Sequence, residues 1–290
     1  MSLRTHLQIS LMETFHSQSL PLLRLQNDEF EAEVLLQGAQ LMHFAPRGQK
    51  SWIFRSPSTP YTPKREIYGG IPVIFPWFGD VETQPDAPKH GLARQAIWKL
   101  ENASEDESKV TLSLNWDDLE AQGIDTTLWP YDFIARMTFS FGDSLGLRFE
   151  VTNESAETCR FECALHAYFA VENLDEVRVE GLENQPFRSG ERGGKETQIG
   201  AIRFGEPTTQ FFDSSGGAVQ IVDANRTLHI TPRDGWNSTI VWNPGAAMKD
   251  LTDEDARQFI CVEAGAIKES QITLAPGQTY ALEININIQG

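Results

Sequence analysis

Two shortages in this 290-residue sequence exclude whole classes of protein. Only three cysteines are present, too few for a disulfide framework, and Cys159 and Cys163 lack the paired spacing of metal ligands. We therefore expect no disulfide, no metal site and a reducing compartment, the cytoplasm. No run of 18 apolar residues occurs, and no basic region followed by an apolar stretch opens the chain. Neither a membrane span nor a secretion signal is predicted.

Positive charge is also scarce. The chain has 24 Lys and Arg against 41 Asp and Glu, which gives a formal net charge of −17. A field of this sign repels nucleic-acid phosphates and anionic membrane surfaces, so we expect neither as a partner. An anionic small molecule needs a local cluster of Lys and Arg to bind against this background.

Alternating apolar and polar residues are abundant, and they indicate β-strands. Hydrophobic residues make up 40% of the chain and include 17 Phe and 7 Trp, enough for a core between sheets. Residues 145–152 and 280–288 alternate with the period of two that a half-buried strand shows. Since all-β domains often exceed about 200 residues, we expect one all-β domain over residues 1–290. Thr252 and the acidic residues after it predict one short helix, ending at about Gln258.

His166 lies in a segment whose two faces differ. In residues 161–171 the odd positions are apolar and predict a core face, whereas Glu162, His166 and Tyr168 occupy even positions. This more polar face is able to line a cleft, with the histidine as an acid or a base. The alternative is a structural histidine satisfied by Glu162 or by a backbone carbonyl.

Glu263 is the one carboxylate in the apolar run of residues 259–265. Burial without a partner raises the pKa of a carboxyl group and suits it to accept a proton as a general base. A cationic partner would instead hold it as an ion pair, and both interpretations stay open. Cys261 shares a strand face with Glu263, and we expect it to pack there without taking part in chemistry.

Glycine, proline and aromatic residues crowd the segment from Gly69 to Gly79. Glycine allows a backbone to approach a ligand closely, and Trp77 or Phe78 is able to stack on an apolar ring face, so a pocket wall is predicted. Core strands near bulges use the same residues, which leaves an alternative. The Gly-rich segment 188–205 is likewise either a mobile loop at a site or a surface connection.

Together these motifs resemble those of the glucose-6-phosphate 1-epimerases, or hexose-6-phosphate mutarotases, within the aldose 1-epimerase superfamily. The motifs follow one another in family order: Gly69–Gly79, His90–Arg94 with Trp98, Leu165–Phe169, Trp242–Pro244, Asp250 and Cys261–Gly265. The resemblance implies a large antiparallel β-supersandwich of the galactose mutarotase-like type and an isomerase that needs no cofactor. It implies that His166 is the catalytic acid and Glu263 the catalytic base, and that His90 and Arg94 contact the substrate, Arg94 at its phosphate.

Three positions depart from the family pattern near the ligand. Tyr68 replaces an arginine, Lys89 replaces a glutamine, and Ser189 is the nearest match to a usual aspartate. We therefore expect a rearranged cationic clamp, and the full set of expected substrate-binding residues is His90, Arg94, Lys89, Tyr68, Arg65 and Trp77. Ordinary surface solvation is the alternative for the basic residues.

Two other functions remain open. A noncatalytic sugar-binding or sensing module would use the same aromatic residues, and a glycoside-cleaving enzyme would need two carboxylates about 5–9.5 Å apart. The presence of both His166 and Glu263 favours the isomerase, acting on a hexose that is phosphorylated, as in glucose 6-phosphate, or unphosphorylated. We expect a monomer whose partner is a small-molecule sugar or sugar phosphate.

Overall fold

The computed structural model describes residues 7–105, 108–190, 193–213 and 217–289. The strands in chain order are β1 (Gln8–Met12), β2 (Leu22–Gln26), β3 (Phe30–Leu35), β4 (Gln40–Pro46), β5 (Val73–Ile74), β6 (Lys99–Ser104), β7 (Lys109–Asn115), β8 (Phe133–Phe141), β9 (Ser144–Asn153), β10 (Cys159–Phe161), β11 (Cys163–Leu165), β12 (Tyr168–Ala170), β13 (Arg178–Glu180), β14 (Pro186–Ser189), β15 (Lys195–Thr197), β16 (Ile202–Arg203), β17 (Thr208–Phe212), β18 (Val219–Asp223), β19 (Arg226–Asp234), β20 (Ser238–Asn243), β21 (Phe259–Ala266), β22 (Ile272–Leu274) and β23 (Thr279–Gln289). The helices are α1 (Trp116–Ala121) and α2 (Asp253–Ala256), with 3₁₀ turns at Thr126–Leu128 and Lys268–Ser270. Within these ranges no helix is long and apolar enough to cross a membrane.

Two large sheets dominate the fold. One has nine strands in the order β16-β13-β18-β19-β23-β9-β8-β7-β6. The other has eight, in the order β15-β14-β17-β20-β21-β11-β5, with β12 also paired to β21. Two smaller sheets complete the fold: a four-stranded sheet, β1 to β4, and the pair β10 and β22. The ladders of these sheets are antiparallel, which confirms the all-β antiparallel class expected from the sequence.

Alternation in the sequence buries one face of the nine-stranded sheet. On β9 the side chains of Leu145, Leu147, Phe149 and Val151 are buried while those between them are partly exposed. Burying each such side chain contributes about 1.5–3 kcal/mol relative to leaving it in water. Both predicted strands, over residues 145–152 and 280–288, are confirmed.

Strand β21 differs because both of its faces are covered. Its side chains at Ile260, Val262 and Ala264 join the main core shared with the nine-stranded sheet. Phe259 and Cys261 point to the opposite face, where they belong to a separate apolar cluster with Tyr168. Glu263 follows Cys261 by two residues, so strand periodicity places it on this second face too.

The predicted core face of residues 161–171 is confirmed, since all six odd positions lie in the main core. Helix α2 begins as predicted, with the side chain of Thr252 accepting a hydrogen bond from the Asp255 amide, but it ends at Ala256. Segment 188–205 contains the end of β14 and all of β15 and β16. Residues 191 and 192 of that segment lie outside the described ranges.

Candidate active site

A cavity of about 250 Å³ lies on the second face of the eight-stranded sheet. Its strand side consists of His166, in the short connection between β11 and β12, and of residues on the strands: Tyr168, Thr209, Phe211, Ile240, Trp242 and Glu263. Its loop side consists of residues between strands: Glu66, Tyr68, Phe78, Lys89, His90 and Met248. This volume is near the lower end for ligand pockets, which suits a small molecule.

Strand register brings His166 and Glu263 together. Strand β11 pairs Leu165 with Ala264, and β12 pairs Tyr168 with Cys261, so His166 falls opposite Glu263. The Nδ1 atom of His166 lies 3.5 Å from Oε1 of Glu263, and the side chains are 8% and 1% exposed. Two residues singled out separately in the sequence therefore form one buried pair.

Neither member of this pair is satisfied within the described part of the chain. His166 Nδ1 and Glu263 Oε2 are buried and have no hydrogen-bond partner there. Glu162, the alternative partner for the histidine, instead accepts hydrogen bonds from the backbone amides of Phe78, at 2.8 Å, and Lys268. Buried polar groups are normally hydrogen-bonded, and exceptions require an explanation such as a catalytic role.

Burial sets the charge state of the pair. It raises the pKa of Glu263 well above its usual value, with the Arg94 charge opposing this. It lowers the pKa of His166 to about 3, and the Arg94 charge adds to that effect. Both directions favour the neutral forms, because a buried charge needs compensating hydrogen bonds that this site lacks among its described residues. The pair thus holds one transferable proton, on the carboxyl group.

His90 presents a defined tautomer to the cavity. Its Nδ1 accepts a hydrogen bond from the Gly79 amide at 3.1 Å, and burial, followed by the Arg94 charge, lowers its pKa well below the usual value. The neutral ring therefore carries its proton on Nε2 and is a hydrogen-bond donor there. Its ring centroid lies 5.6 Å from that of His166.

Gly91 fixes the backbone that carries His90. Its φ is +83°, and a Cβ at this position would stand 2.1 Å from the carbonyl oxygen of Phe75. Only glycine fits such a left-handed conformation against another backbone. The glycine of the His90–Arg94 motif therefore has a steric cause.

Glu66 is a site residue that the sequence analysis missed. Its Oε1 lies 2.8 Å from Nη1 of Arg94, whose side chain is 3% exposed. Glu66 lines the cavity, whereas Arg94 does not and reaches it through this contact with Glu66. Glu66 gave no sequence signal, because an ion pair between two irregular segments leaves no periodic pattern.

The other predicted binding residues divide into two groups. Tyr68 and Lys89 line the cavity, and burial, aided by Glu66, raises the pKa of Tyr68 to about 12, so that its phenol stays a donor. Trp77 and Arg65, also expected to bind substrate, are not among the residues that line it. Trp77 packs against the main core and donates from Nε1 to the Pro88 carbonyl at 3.0 Å, while Arg65 is exposed.

Aromatic residues do line the cavity, at other positions. Phe78 replaces the expected Trp77, and its ring centroid lies 4.8 Å from that of His90. Tyr168 stacks on His166 with centroids 4.7 Å apart and planes 6° from parallel. Trp242 meets His166 edge-on at 5.9 Å. None of the described residues of segment 188–205 lines this cavity, Ser189 included.

Comparison with known proteins agrees with this fold. The sequence profile of the aldose 1-epimerase family matches residues 21–287. A Salmonella typhimurium protein provisionally named glucose-6-phosphate 1-epimerase is 31% identical over 252 residues, which cover 84% of this chain and 82% of that protein. A crystal structure from the same organism, provisionally described as a mutarotase, superposes with a TM-score of 0.84 at 26% identity, covering 98% of this chain and 93% of that one.

The fold type is shared more widely. Galactose 1-epimerase from Lactobacillus acidophilus superposes with a TM-score of 0.73 at 14% identity, over 98% of this chain and 99% of that one. The family match and the fold together indicate a sugar-anomer isomerase built as a β-supersandwich. The chain belongs to the aldose 1-epimerase family. The galactose mutarotase-like fold and the isomerase class predicted from the sequence are confirmed, and a noncatalytic sugar-binding module is not favoured.

Proposed function

We propose that this enzyme interconverts the α and β anomers of a hexose 6-phosphate, glucose 6-phosphate first among them, with His166 and Glu263 as its acid/base pair. The observation that carries the proposal is the 3.5 Å approach of two buried proton-carrying groups at the cavity wall. Nδ1 of His166 and Oε2 of Glu263 have no hydrogen-bond partner in the described part of the chain, which suits them to engage a substrate. The name of the Salmonella relative supports the choice of sugar.

Anomer exchange breaks and remakes the bond between C1 and the ring oxygen O5. In the proposed reactive state the carboxyl proton of Glu263 has passed to His166 across their 3.5 Å contact. Glu263 as carboxylate then takes the proton of the C1 hydroxyl while protonated His166 donates to O5, which opens the ring to an aldehyde. Rotation about C1–C2 presents the other carbonyl face, and the reverse transfers close the ring. Opening converts a carboxylate and an imidazolium into a carboxylic acid and an imidazole, the neutral forms that burial of the pair favours.

The loop side supplies binding groups. Nε2 of His90 and the phenol of Tyr68 donate hydrogen bonds to sugar oxygens. Lys89 lines the cavity with 52% of its side chain exposed and its Nζ 3.9 Å from Asp80, so its ammonium is able to meet a phosphate as a point charge. The buried thiols of Cys159, Cys163 and Cys261 support a cytoplasmic location. One hydrophobic core with members from Leu7 to Ile286 supports a single domain.

Saturation-exchange NMR on glucose 6-phosphate and on glucose tests the proposal. We expect the wild type to accelerate exchange of both anomer pairs, with the higher kcat/KM on the phosphorylated sugar. Lys89→Ala should raise KM for glucose 6-phosphate about tenfold and leave KM for glucose nearly unchanged. Lys50→Ala removes the same charge at a surface ion pair with Glu172 and is the control.

Two results would limit the proposal differently. A wild type that prefers free glucose removes the phosphate from the proposal and leaves the aldose 1-epimerase activity. A wild type without exchange activity on any hexose or hexose phosphate contradicts the proposal as a whole.

A further inference from the structure

Glu66 covers a buried arginine beside the cavity. The Arg94 side chain is 3% exposed, and its Nη1 lies 2.8 Å from Glu66 Oε1. The Glu66 side chain is 34% exposed and stands at the cavity surface. A ligand that enters the cavity therefore meets a carboxylate where the family resemblance leads one to expect a free guanidinium.

The pairing of Glu66 with Arg94 is incomplete. Although Nη1 is in ion-pair contact, neither Nη1 nor Nη2 has a well-aligned hydrogen bond within the described ranges, and both are buried. A guanidinium offers a planar fork that a carboxylate or a phosphate satisfies through two parallel hydrogen bonds. Glu66 supplies one oxygen at the side of this fork, so a better-placed acceptor would bind Arg94 more completely.

We propose that Glu66 is a specificity-determining residue that occupies Arg94 in place of the substrate phosphate and is displaced when a phosphorylated sugar binds. This inference rests on the proposed function. A phosphate and a carboxylate at one guanidinium repel each other, so the two compete. Because a third of the Glu66 side chain already faces water, it is able to turn outward without crossing the core.

The competition acts on one class of substrate. A phosphorylated hexose must displace Glu66 before its phosphate reaches Arg94, whereas a free hexose leaves the ion pair in place. Glu66 therefore reduces the advantage in KM that the phosphorylated sugar has over the free one. It also keeps the buried Arg94 charge neutralised in the free enzyme, which avoids an uncompensated buried cation.

Glu66→Gln tests this mechanism. We expect the variant to lower KM for glucose 6-phosphate about tenfold relative to KM for glucose, because the competing charge is gone. Inorganic phosphate, measured by calorimetry, should bind Glu66→Gln about tenfold more tightly than wild type. Glu66→Asp keeps the charge and should remain close to wild type in the ratio of the two KM values. Glu101→Gln changes the net charge by the same amount at a surface ion pair with Arg136. It should alter neither the ratio of the two KM values nor the affinity for inorganic phosphate.

The phosphate-binding measurement separates this inference from the proposed function. If the wild type exchanges neither sugar but Glu66→Gln binds inorganic phosphate more tightly, the proposed function fails and the competition stands. If Glu66→Gln weakens phosphate binding, or changes KM for both sugars by the same factor, Glu66 does not compete for Arg94 and the inference is wrong.

Discussion

The strand side and the loop side of the cavity treat charge in opposite ways. On the strand side His166 and Glu263 are almost fully buried, and burial drives both toward their neutral forms. On the loop side Glu66 is paired with the buried Arg94 and Lys89 stands near Asp80, and the side chains of Glu66 and Lys89 are 34% and 52% exposed. Groups left unsatisfied on rigid strands suit proton transfer, whereas charges paired on loops suit recognition of a charged ligand.

The largest effect should come from the strand side. We expect His166→Asn and Glu263→Gln each to reduce anomer exchange at least about 10²-fold, because each removes one of the two proton carriers. Saturation-exchange NMR gives the rates, and circular dichroism shows that the variants are folded. Near-normal exchange by either folded variant would contradict the assignment of that residue as a proton carrier. Proton transfer would then not distinguish the strand side from the loop side.

A variant on the loop side, His90→Gln, is the control for these two variants. His90→Gln keeps a donor near Nε2 without the imidazole, and we expect it to raise KM more than it lowers kcat. If His90→Gln abolished exchange as fully as Glu263→Gln, proton transfer would not be confined to the strand side.

A second prediction concerns how the loop side is held. Gly91→Ala places a Cβ 2.1 Å from the Phe75 carbonyl oxygen at a φ of +83°, so we expect the free energy of unfolding to fall by about 3 kcal/mol or more. Gly48→Ala is the matched control, because its φ is +75° but a Cβ there meets nothing within 4 Å. It should cost about 1 kcal/mol. Urea denaturation of both variants measures the difference, and equal losses would show that backbone contact does not position this loop.

A third prediction concerns how the stability of the protein depends on pH through the buried pair. Since burial raises the pKa of Glu263 above its usual value of 4.5, the stability that this group contributes is fully present below about pH 4.5 and is lost as pH rises through the folded pKa. The amide introduced by Glu263→Gln does not ionise, so the melting temperature of this variant should rise relative to that of the wild type as pH increases above about 4.5.

His166 titrates in the other direction. Its pKa is lowered to about 3, so its contribution is present above about pH 6.5 and is lost as pH falls toward 3. The melting temperature of His166→Asn should therefore rise relative to that of the wild type as pH falls below about 6.5. Thermal melts at several pH values measure both gains, with Glu101→Gln as the exposed control. Melting curves that stay parallel to wild type across pH would mean that the pair is not neutral in the free enzyme.

The strand side was largely predictable from sequence because alternation records which face of a strand is buried. The core face of residues 161–171 follows from that rule. Glu263 was found differently, as the one carboxylate in a run that is buried on both faces. On the loop side, Tyr68, Lys89 and His90 were named only through the family motifs. Irregular backbone has no period that tells Trp77 from Phe78 or places Glu66 against Arg94. The strand contacts that add Phe211 and Ile240 to the wall depend on long-range register, which one sequence does not encode visibly.

The smallest effect on activity should come from Cys261, which shares the strand face of Glu263 but not its chemistry. The thiol is fully buried in the apolar cluster with Tyr168 and Phe259, and burial raises its pKa well above the usual value, so it stays a neutral thiol. Cys261→Ala removes one buried sulfur atom and should lower the free energy of unfolding by about 1 kcal/mol. Exchange should change less than about threefold, because the sulfur carries no proton in the reaction. A rate loss as large as that of Glu263→Gln would mean that the thiol takes part in the reaction. The strand side would then contain no buried residue that only packs beside Glu263.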